Sequence, residues 1–280
     1  MELPRFFKGW AKPGPIPPGS QIDPPILPEA GESLDAISGF FRIFQYQDGH
    51  RFSTDDLLVA WYGTQACPSA SRVLDLGSGI GSVGMVAAWR LPGAQFVTVE
   101  AQDISVRLAR KSAEYNGLSV RYDIRQGDFR DPGVLAPEEK FDLVLGSPPY
   151  FPLETGILGD HPQKVACRFE VRGSIQNYCE LASRHLEHGG VFATIFPLAQ
   201  LERVNQAARD AGLLIIRSRD ILFREGELPL LGVFLMMKSE HLPEKFQSLH
   251  FKEPPLCIRL RNGEVHPEYS TVKLSIGFPP

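Results

Sequence analysis

Strand-like apolar runs alternate with amphipathic segments along most of this chain. The runs lie at residues 72–76, 96–99, 122–125, 141–145 and 191–196, and their lengths are typical of buried strands. Apolar residues between them recur at helical spacing, which predicts helices at residues 83–89, 103–115, 175–186 and 201–211. Because strands alternate with helices, the chain is predicted to form an α/β fold with a doubly wound, mostly parallel sheet. The run at residues 232–237 is expected to be the last strand.

Proline content separates the first 36 residues from the rest. Residues 1–36 contain eight prolines, too many for a helix or an inner strand, so we predict a proline-rich tail or a segment lying on the domain surface. Residues 37–240 contain the predicted sheet and are expected to form one domain. Residues 241–280 are predicted to be a C-terminal extension, with a small hairpin turn at Asn262-Gly263.

Two signals precede the first buried run. Residues 40–52 are aromatic-rich and contain Asp48-Gly49, which predicts a hairpin turn. Residues 53–56, Ser-Thr-Asp-Asp, then predict the start of a helix. Helix capping explains Asp55. A functional alternative is that the hairpin and cap fold over the edge of a bound cofactor.

Composition limits the classes of function. The chain has 280 residues, 43% of them hydrophobic, and a net charge of -4, so any RNA contact must depend on local basic patches. The four cysteines show neither C-x-x-C pairing nor metal-ligand spacing, and no metal is expected. Without an apolar run of membrane-spanning length or a signal peptide, a soluble cytoplasmic protein is expected.

The run at 72–76 leads into a glycine-rich turn, Asp75-Leu-Gly77-Ser-Gly79-Ile-Gly81. Glycines at a strand-to-helix turn let backbone N–H groups approach a ligand closely. Glu100 ends the next run, where an acid can accept hydrogen bonds from ribose hydroxyls. These residues predict a site for a nucleoside-bearing cofactor.

Two features of this region leave alternatives open. Residues 79–84 also fit the dinucleotide fingerprint G-x-G-x-x-G. In dinucleotide-binding proteins the strand runs directly into the first glycine of the fingerprint, whereas in this chain residues 75–78 intervene before Gly79. A tight structural turn is the other explanation. After the third run, Asp128 and Phe129 have the chemistry to hold an adenine by its amino group and its face, although Asp128 is equally explained as a cap of the next turn.

The run at 141–145 is followed by Gly and then by Ser147-Pro148-Pro149-Tyr150, with Phe151 next. Two prolines end the strand ladder and stiffen the backbone. They leave a hydroxyl, neighbouring carbonyls and an aromatic ring at one cleft, outside the carboxyl ends of the strands.

Together these motifs resemble the class I S-adenosylmethionine-dependent methyltransferases that methylate amino groups. The segments at residues 41–45 (Phe-Arg-Ile-Phe-Gln) and 52–55 (Phe-Ser-Thr-Asp) further resemble the bacterial tRNA(Val) adenine-N6 methyltransferases. The resemblance covers about residues 38–240. It implies a Rossmann-like sheet with an antiparallel last strand, S-adenosyl-L-methionine as cofactor and RNA, most readily tRNA, as substrate.

The resemblance also extends to the loop before the predicted helix at 175–186. Residues 166–170, Ala-Cys-Arg-Phe-Glu, are similar to the family's Ala-Arg-x-Glu region with one residue inserted before the arginine. Lys164 and Arg168 lie in the most basic stretch near the site and are expected to hold substrate phosphates, although a solvated charged loop explains them nearly as well.

These arguments assign roles to individual residues. The catalytic residues are expected to be Ser147, Pro148, Pro149 and Tyr150, and the substrate-binding residues Phe151, Lys164 and Arg168. The cofactor is expected to contact Thr54, Asp55, Asp75, Gly77, Gly79, Gly81, Glu100, Asp128, Phe129 and Ser147. Most members of the family carry Asn where this chain has Ser147, so one hydroxyl replaces an amide oxygen.

The expected reaction is transfer of a methyl group to a planar amino nitrogen, adenine N6 in tRNA. Two other classes compete: a protein glutamine N-methyltransferase, which uses the same strand-end motif on a side-chain amide, and a non-catalytic nucleotide-binding module. A dehydrogenase is a more distant alternative that NAD binding would reveal. The sequence leaves the target nucleotide and the oligomeric state open.

Overall fold

The computed structural model describes residues 4–152, 163, 165 and 169–280. Its strands, in chain order, are β1 (Phe6–Phe7), β2 (Trp10–Ala11), β3 (Glu32–Ala36), β4 (Arg42–Tyr46), β5 (Arg72–Leu76), β6 (Gln95–Glu100), β7 (Tyr122–Gln126), β8 (Phe141–Gly146), β9 (Leu186–Pro197), β10 (Leu213–Leu222), β11 (Leu231–Lys238) and β12 (Phe251–Cys257). The α-helices of the same described residues are α1 (Thr54–Ala66), α2 (Ser82–Arg90), α3 (Asp103–Tyr115), α4 (Ile175–His185), α5 (Leu201–Asp210) and α6 (Pro267–Ser275).

Eight of these strands form the central sheet, in the order β12-β10-β11-β9-β8-β5-β6-β7. All run parallel except β11, which is antiparallel to β9 and β10. The predicted sheet, mostly parallel with an antiparallel strand near residues 232–237, is confirmed. The structure adds β12, which pairs with β10 at the edge.

Both faces of the sheet are covered, as the apolar strands require. Along β8, Leu143 and Leu145 belong to the core formed with α1, α2 and α3, whereas Val144 belongs to the core formed with α4 and α5. Side chains alternate between faces along a strand, so a strand buried on both sides is apolar at nearly every position. This is why unbroken apolar runs, rather than alternating ones, mark the inner strands.

The order of the strands creates one position where a ligand can enter. The chain proceeds from β5 outward through β6 to β7 and then returns to β8, which lies on the other side of β5. At such a switch point the loops after the two neighbouring strands turn to opposite faces and leave a crevice. The glycine-rich turn after β5 and the Ser-Pro-Pro-Tyr segment after β8 therefore border the same crevice.

The prediction of a hairpin turn at Asp48-Gly49 is wrong. β3 pairs with β4 in antiparallel register, with Ala36 opposite Arg42, and the turn spans residues 37–41. The partner strand precedes the aromatic segment and lies in the proline-rich region. The sequence showed a turn signal but not which strands would pair.

The proline-rich segment packs on the domain. A Cβ at Gly19 would lie 2.5 Å from the Cα of Tyr115 at the end of α3, so the backbone approaches the helix directly. Gly39 N donates to Gly277 O at 2.6 Å, joining the β3–β4 turn to the C-terminus. β3 lies within the predicted tail and β12 within the predicted extension, and the three-part division stays a prediction. No helix in the described part of the chain is long and apolar enough to cross a membrane.

Candidate active site

A cleft of about 620 Å³ opens at the switch point between β5 and β8. Most of the residues predicted for the site line it. They are Asp55, Asp75, Gly77, Gly79, Glu100, Asp128, Phe129, Ser147, Pro148, Pro149, Tyr150 and Phe151. The fold thus brings the predicted cofactor residues and the predicted catalytic residues to one cavity.

The glycine-rich turn adopts a backbone that other residues rarely take. Gly77 and Gly79 have φ values of +61° and +56°, in the left-handed region that favours glycine. A Cβ at Gly77 would lie 2.0 Å from the hydroxyl of Tyr178, whereas a Cβ at Gly79 would meet nothing within 4 Å. Gly77 is therefore required by packing, and Gly79 leaves open space where the turn meets the cleft.

Asp75 is a buried acid with one oxygen unsatisfied. Its Oδ2 accepts a hydrogen bond from Gly84 N at 2.9 Å, but its Oδ1 has no hydrogen-bond partner among the described residues. Burial raises the pKa of Asp75 well above its usual range, and the charges of Asp56 and Glu100 add to the rise. Since buried polar atoms are normally paired, this oxygen is a candidate for contact with a polar or cationic ligand.

Glu100 is held rigidly at the end of β6. Its Oε2 accepts from Gly79 N at 2.9 Å and its Oε1 from Gln102 N at 2.6 Å. Burial raises the pKa of Glu100, while these backbone hydrogen bonds and the charge of Arg172 oppose the rise. The Ala101 backbone makes a further hydrogen bond to the carboxylate. A carboxylate has about four acceptor positions, so Glu100 can still receive a ligand hydroxyl.

Asp128 and Phe129 lie at the cleft but are already engaged. Arg130 donates to both carboxylate oxygens of Asp128, and this interaction lowers the pKa of Asp128. Phe129 contacts Tyr178 edge-on, with ring centroids 4.8 Å apart. The aromatic residue presents a fixed apolar surface, and the acid keeps its negative charge.

The Ser-Pro-Pro-Tyr segment is connected to the start of α1. The Tyr150 hydroxyl donates to Asp55 Oδ2 at 2.6 Å. The Ser147 side chain also hydrogen-bonds to Tyr150. Because the phenol gives its single proton to Asp55, Ser147 is the donor in this hydrogen bond. The three groups form a relay in which Ser147 donates to Tyr150 and Tyr150 donates to Asp55.

Burial dominates the protonation of this relay. It raises the pKa of Tyr150 well above its usual range, and the Asp55 carboxylate adds to the rise. It also raises the pKa of Asp55, where the hydrogen bond from Tyr150 opposes part of the rise. Tyr150 therefore stays protonated, which fixes it as the donor to Asp55 whenever that acid is ionised.

The Tyr150 backbone and ring are also supported from the other face of the sheet. Gln200 donates to Tyr150 O at 2.9 Å, and Arg203 connects Gln200 to Glu170, at 2.6 Å and 2.5 Å. The Tyr150 ring contacts Phe196 edge-on at 5.6 Å. This ring geometry leaves Tyr150 half-buried, with part of its surface on the cleft.

Some predicted residues are elsewhere. Thr54 does not line the cleft but a second cavity, on the other side of the first turn of α1. Gly81 precedes α2, has a φ of +88° and does not line the cleft either. Phe151, by contrast, lines the cleft at its rim, where it is 46% exposed and contacts Phe169. Lys164 and Arg168 lie outside the described residues.

Several residues that line the cleft were not predicted for the site, among them Asp56, Tyr178 and Arg172. Asp56 accepts from Ser53 N, as a capping residue does, but also from the Ser82 hydroxyl at 2.9 Å. Tyr178 lies at helical spacing within α4 and is buried, as a core residue is, yet its hydroxyl lies against Gly77. No local signal distinguished these roles, because each depends on a distant segment.

Comparison with known proteins agrees with this architecture. The family model described as "Methyltransferase small domain" matches residues 55–156, the segment from the start of α1 to just past the Ser-Pro-Pro-Tyr motif. A Shewanella amazonensis protein named tRNA1(Val) (adenine(37)-N6)-methyltransferase is 28% identical over 193 residues, 68% of this chain and 80% of its own length. A Porphyromonas gingivalis protein of the same name is 29% identical over 65% of this chain and 72% of its own length. The chain is a class I methyltransferase.

Solved structures of other methyltransferases share the fold of this chain. A structure described as a predicted O-methyltransferase from Agrobacterium tumefaciens superposes with a TM-score of 0.58 at 18% identity, over 80% of this chain and 98% of its own. An O-methyltransferase from a Brevibacillus brevis multienzyme, in complex with S-adenosyl-L-homocysteine, gives 0.50 at 13% identity over 71% and 79%. At these identities the likeness is one of fold alone.

Proposed function

We propose that this methyltransferase transfers a methyl group from S-adenosyl-L-methionine to N6 of an adenine in tRNA, with adenine 37 of tRNA1(Val) as the first candidate. The observation that carries the proposal is the Ser147–Tyr150 segment, which opens into the same cleft as the glycine-rich turn. The names of the relatives supply the nucleotide and the tRNA.

The cleft fits the proposed cofactor. Glu100, which retains an unused acceptor position, would receive a ribose hydroxyl. The open backbone at Gly79 and the unsatisfied Oδ1 of Asp75 suit the amino acid end, whose ammonium group can satisfy a buried carboxylate. Phe129 would contact the adenine ring. Bound there, S-adenosylmethionine supplies a methyl group on a positively charged sulfur.

The residues of the chain have to make a poor nucleophile reactive. The lone pair of an adenine amino group is delocalised into the ring, and acceptors placed around its N–H bonds favour a pyramidal nitrogen. We assign these acceptors to the Ser147 hydroxyl and the Pro148 carbonyl. The lone pair of the nitrogen would then be directed at the methyl carbon, and the sulfur would take the electron pair of the bond that breaks. The amino group loses one proton to solvent, so positioning and electrostatics carry the catalysis.

The relay would explain how serine serves at the position where the family resemblance implies an asparagine. A serine hydroxyl is both a donor and an acceptor, and a donor aimed at an amino group would be repelled. The proton of Ser147 is directed to Tyr150, whose own proton is directed to Asp55. With its proton so engaged, Ser147 offers lone pairs to the substrate, as an amide oxygen does.

The direct test uses an unmodified tRNA1(Val) transcript, purified protein and S-adenosylmethionine, followed by mass spectrometry of the digested nucleosides. We expect N6-methyladenosine with the natural transcript and none when adenine 37 is replaced by guanine. Methyl transfer to a protein that survives ribonuclease would favour the glutamine methyltransferase instead. Cofactor binding with no transfer to RNA or protein would favour a non-catalytic module.

Glu100→Ala should weaken S-adenosylmethionine binding about 5- to 150-fold in calorimetry, since a charged acceptor of ribose hydroxyls is worth about 1–3 kcal/mol. Glu100→Gln keeps one acceptor oxygen, so its S-adenosylmethionine affinity should lie between those of Glu100→Ala and the wild type. Glu114→Ala, at an exposed position on α3, is the matched control and should bind normally. Unchanged affinity in a folded Glu100→Ala protein would remove Glu100 from the cofactor site.

A further inference from the structure

A second cavity lies beside the active-site cleft and is not explained by cofactor binding. Its volume is about 490 Å³, and the residues that matter for its chemistry are Thr54, Arg224, Glu227, Arg259, Tyr269 and Lys273. We call it the basic groove. Thr54 lines the groove and the next residue, Asp55, lines the cleft, so the two cavities are separated by the first turn of α1.

The basic groove carries more positive than negative charge. Three cationic side chains and one acid line it. Arg224 lies 4.0 Å from Glu227, with both side chains at least half exposed, and such a pair contributes little. Among the described residues, neither Arg259 nor Lys273 forms an ion pair with an acid. Burial and the neighbouring charge of Arg259 lower the pKa of Lys273, so an anion bound between the two would relieve their repulsion.

The groove is also rigidly built. The Tyr269 side chain is buried and hydrogen-bonded to Thr54, which holds α6 against the start of α1. Arg219, on β10, donates to Pro254 O at 2.8 Å and pairs with Glu268, the residue before Tyr269. These contacts join two strands and two helices into a fixed frame around the groove.

The sheet topology places the groove on the substrate side of the catalytic segment. The cofactor residues follow β5, β6 and β7, on one side of β8. Arg224 follows β10 and Arg259 follows β12, on the other side of β8 and at the same carboxyl edge of the sheet. A strand of nucleic acid whose base enters at Tyr150 can continue along this side, where its next phosphates would meet the groove.

We propose that the basic groove binds the phosphate backbone of the RNA next to the target adenine. The inference rests on the proposed function, which assigns residues to the cofactor and the target base but none to the RNA backbone. With a net charge of -4 the chain repels RNA as a whole, so binding has to be concentrated at local cations. Arginine and lysine side chains are the usual partners of phosphate oxygens.

The test compares Arg259→Ala/Lys273→Ala with Arg184→Ala, a matched control. Arg184 is 61% exposed on α4, and α4 ends at the opposite edge of the sheet. The dissociation constant of the unmodified tRNA1(Val) transcript is measured over a series of salt concentrations. The double variant should bind RNA about tenfold or more weakly at low salt, and its log–log salt slope should fall by about 1–2 because two phosphate contacts are lost.

Further measurements separate the groove from the proposed function. S-adenosylmethionine affinity should be unchanged in the double variant, since neither residue lines the cleft, and thermal unfolding checks that the variant is folded. RNA affinity and salt slope equal to those of Arg184→Ala, with the wild type still methylating RNA, would overturn the groove alone. A wild type that neither binds nor methylates RNA would overturn both proposals, and methyl transfer to a protein that weakens in the double variant would assign the groove to an acidic protein surface.

Discussion

Tyr150→Ala should lose about 100-fold or more of its methyl transfer to tRNA while binding S-adenosylmethionine as the wild type does. Stacking of a base on an aromatic ring is worth about 1–3 kcal/mol by alanine substitution. Misplacement of the nucleophile multiplies that loss, because a near-attack geometry is no longer held. A radiolabelled transfer assay and a cofactor titration on the same preparation measure the two quantities.

Tyr150→Phe separates the ring from the hydroxyl. The ring and its edge-on contact with Phe196 remain, so stacking is kept, but the bridge between Ser147 and Asp55 is lost. We expect about a tenfold loss in kcat, well short of that of Tyr150→Ala. If the two variants were equally impaired, the ring would have no stacking role.

Asp55→Asn should lower kcat about 10- to 100-fold, or about 1.4–2.8 kcal/mol in activation free energy, with little change in cofactor affinity. An asparagine side chain can either donate to Tyr150 or accept from it, so the direction of the relay is no longer fixed and Ser147 can turn its proton to the substrate. A structural role alone would lower thermal stability without affecting kcat of the folded protein.

The double variant Tyr150→Phe/Asp55→Asn tests whether the two residues act as one unit. Residues in a shared hydrogen-bond network have strongly non-additive effects. We expect the double variant to be no slower than Tyr150→Phe alone, because the relay is already broken. Losses that multiply would show that Asp55 and Tyr150 act independently.

The same relay predicts how the rate depends on pH. Burial raises the pKa of Asp55, so its protonated form persists to a higher pH than in an exposed aspartate. Activity is present above this pKa and is lost as pH falls through it, since a protonated Asp55 donates to Tyr150 and reverses the relay. At saturating cofactor and RNA, kcat of the wild type should show this acidic limb and Asp55→Asn should lack it.

The sequence by itself determined the fold class and the location of the cleft. Inner strands of a parallel sheet are buried on both faces, so β5, β6 and β8 are visible as unbroken apolar runs. The motifs that follow β5 and β8 converge because carboxyl ends of parallel strands share one edge. Order along the chain was thus sufficient to predict that Gly77, Glu100 and Ser147 would meet.

Only the tertiary structure decided what those residues contact. The hydrogen bond of Tyr150 to Asp55 spans 95 positions in the chain, and the proximity of Tyr178 to Gly77 depends on α4 folding over the turn. The same limit explains the misplaced hairpin turn, since Asp48-Gly49 can form a turn locally but strand pairing is decided by burial against α3. The propensity of a segment to form a turn, helix or strand depends on adjacent residues and can be read from the sequence. Hydrogen bonds between distant segments depend on how the elements pack.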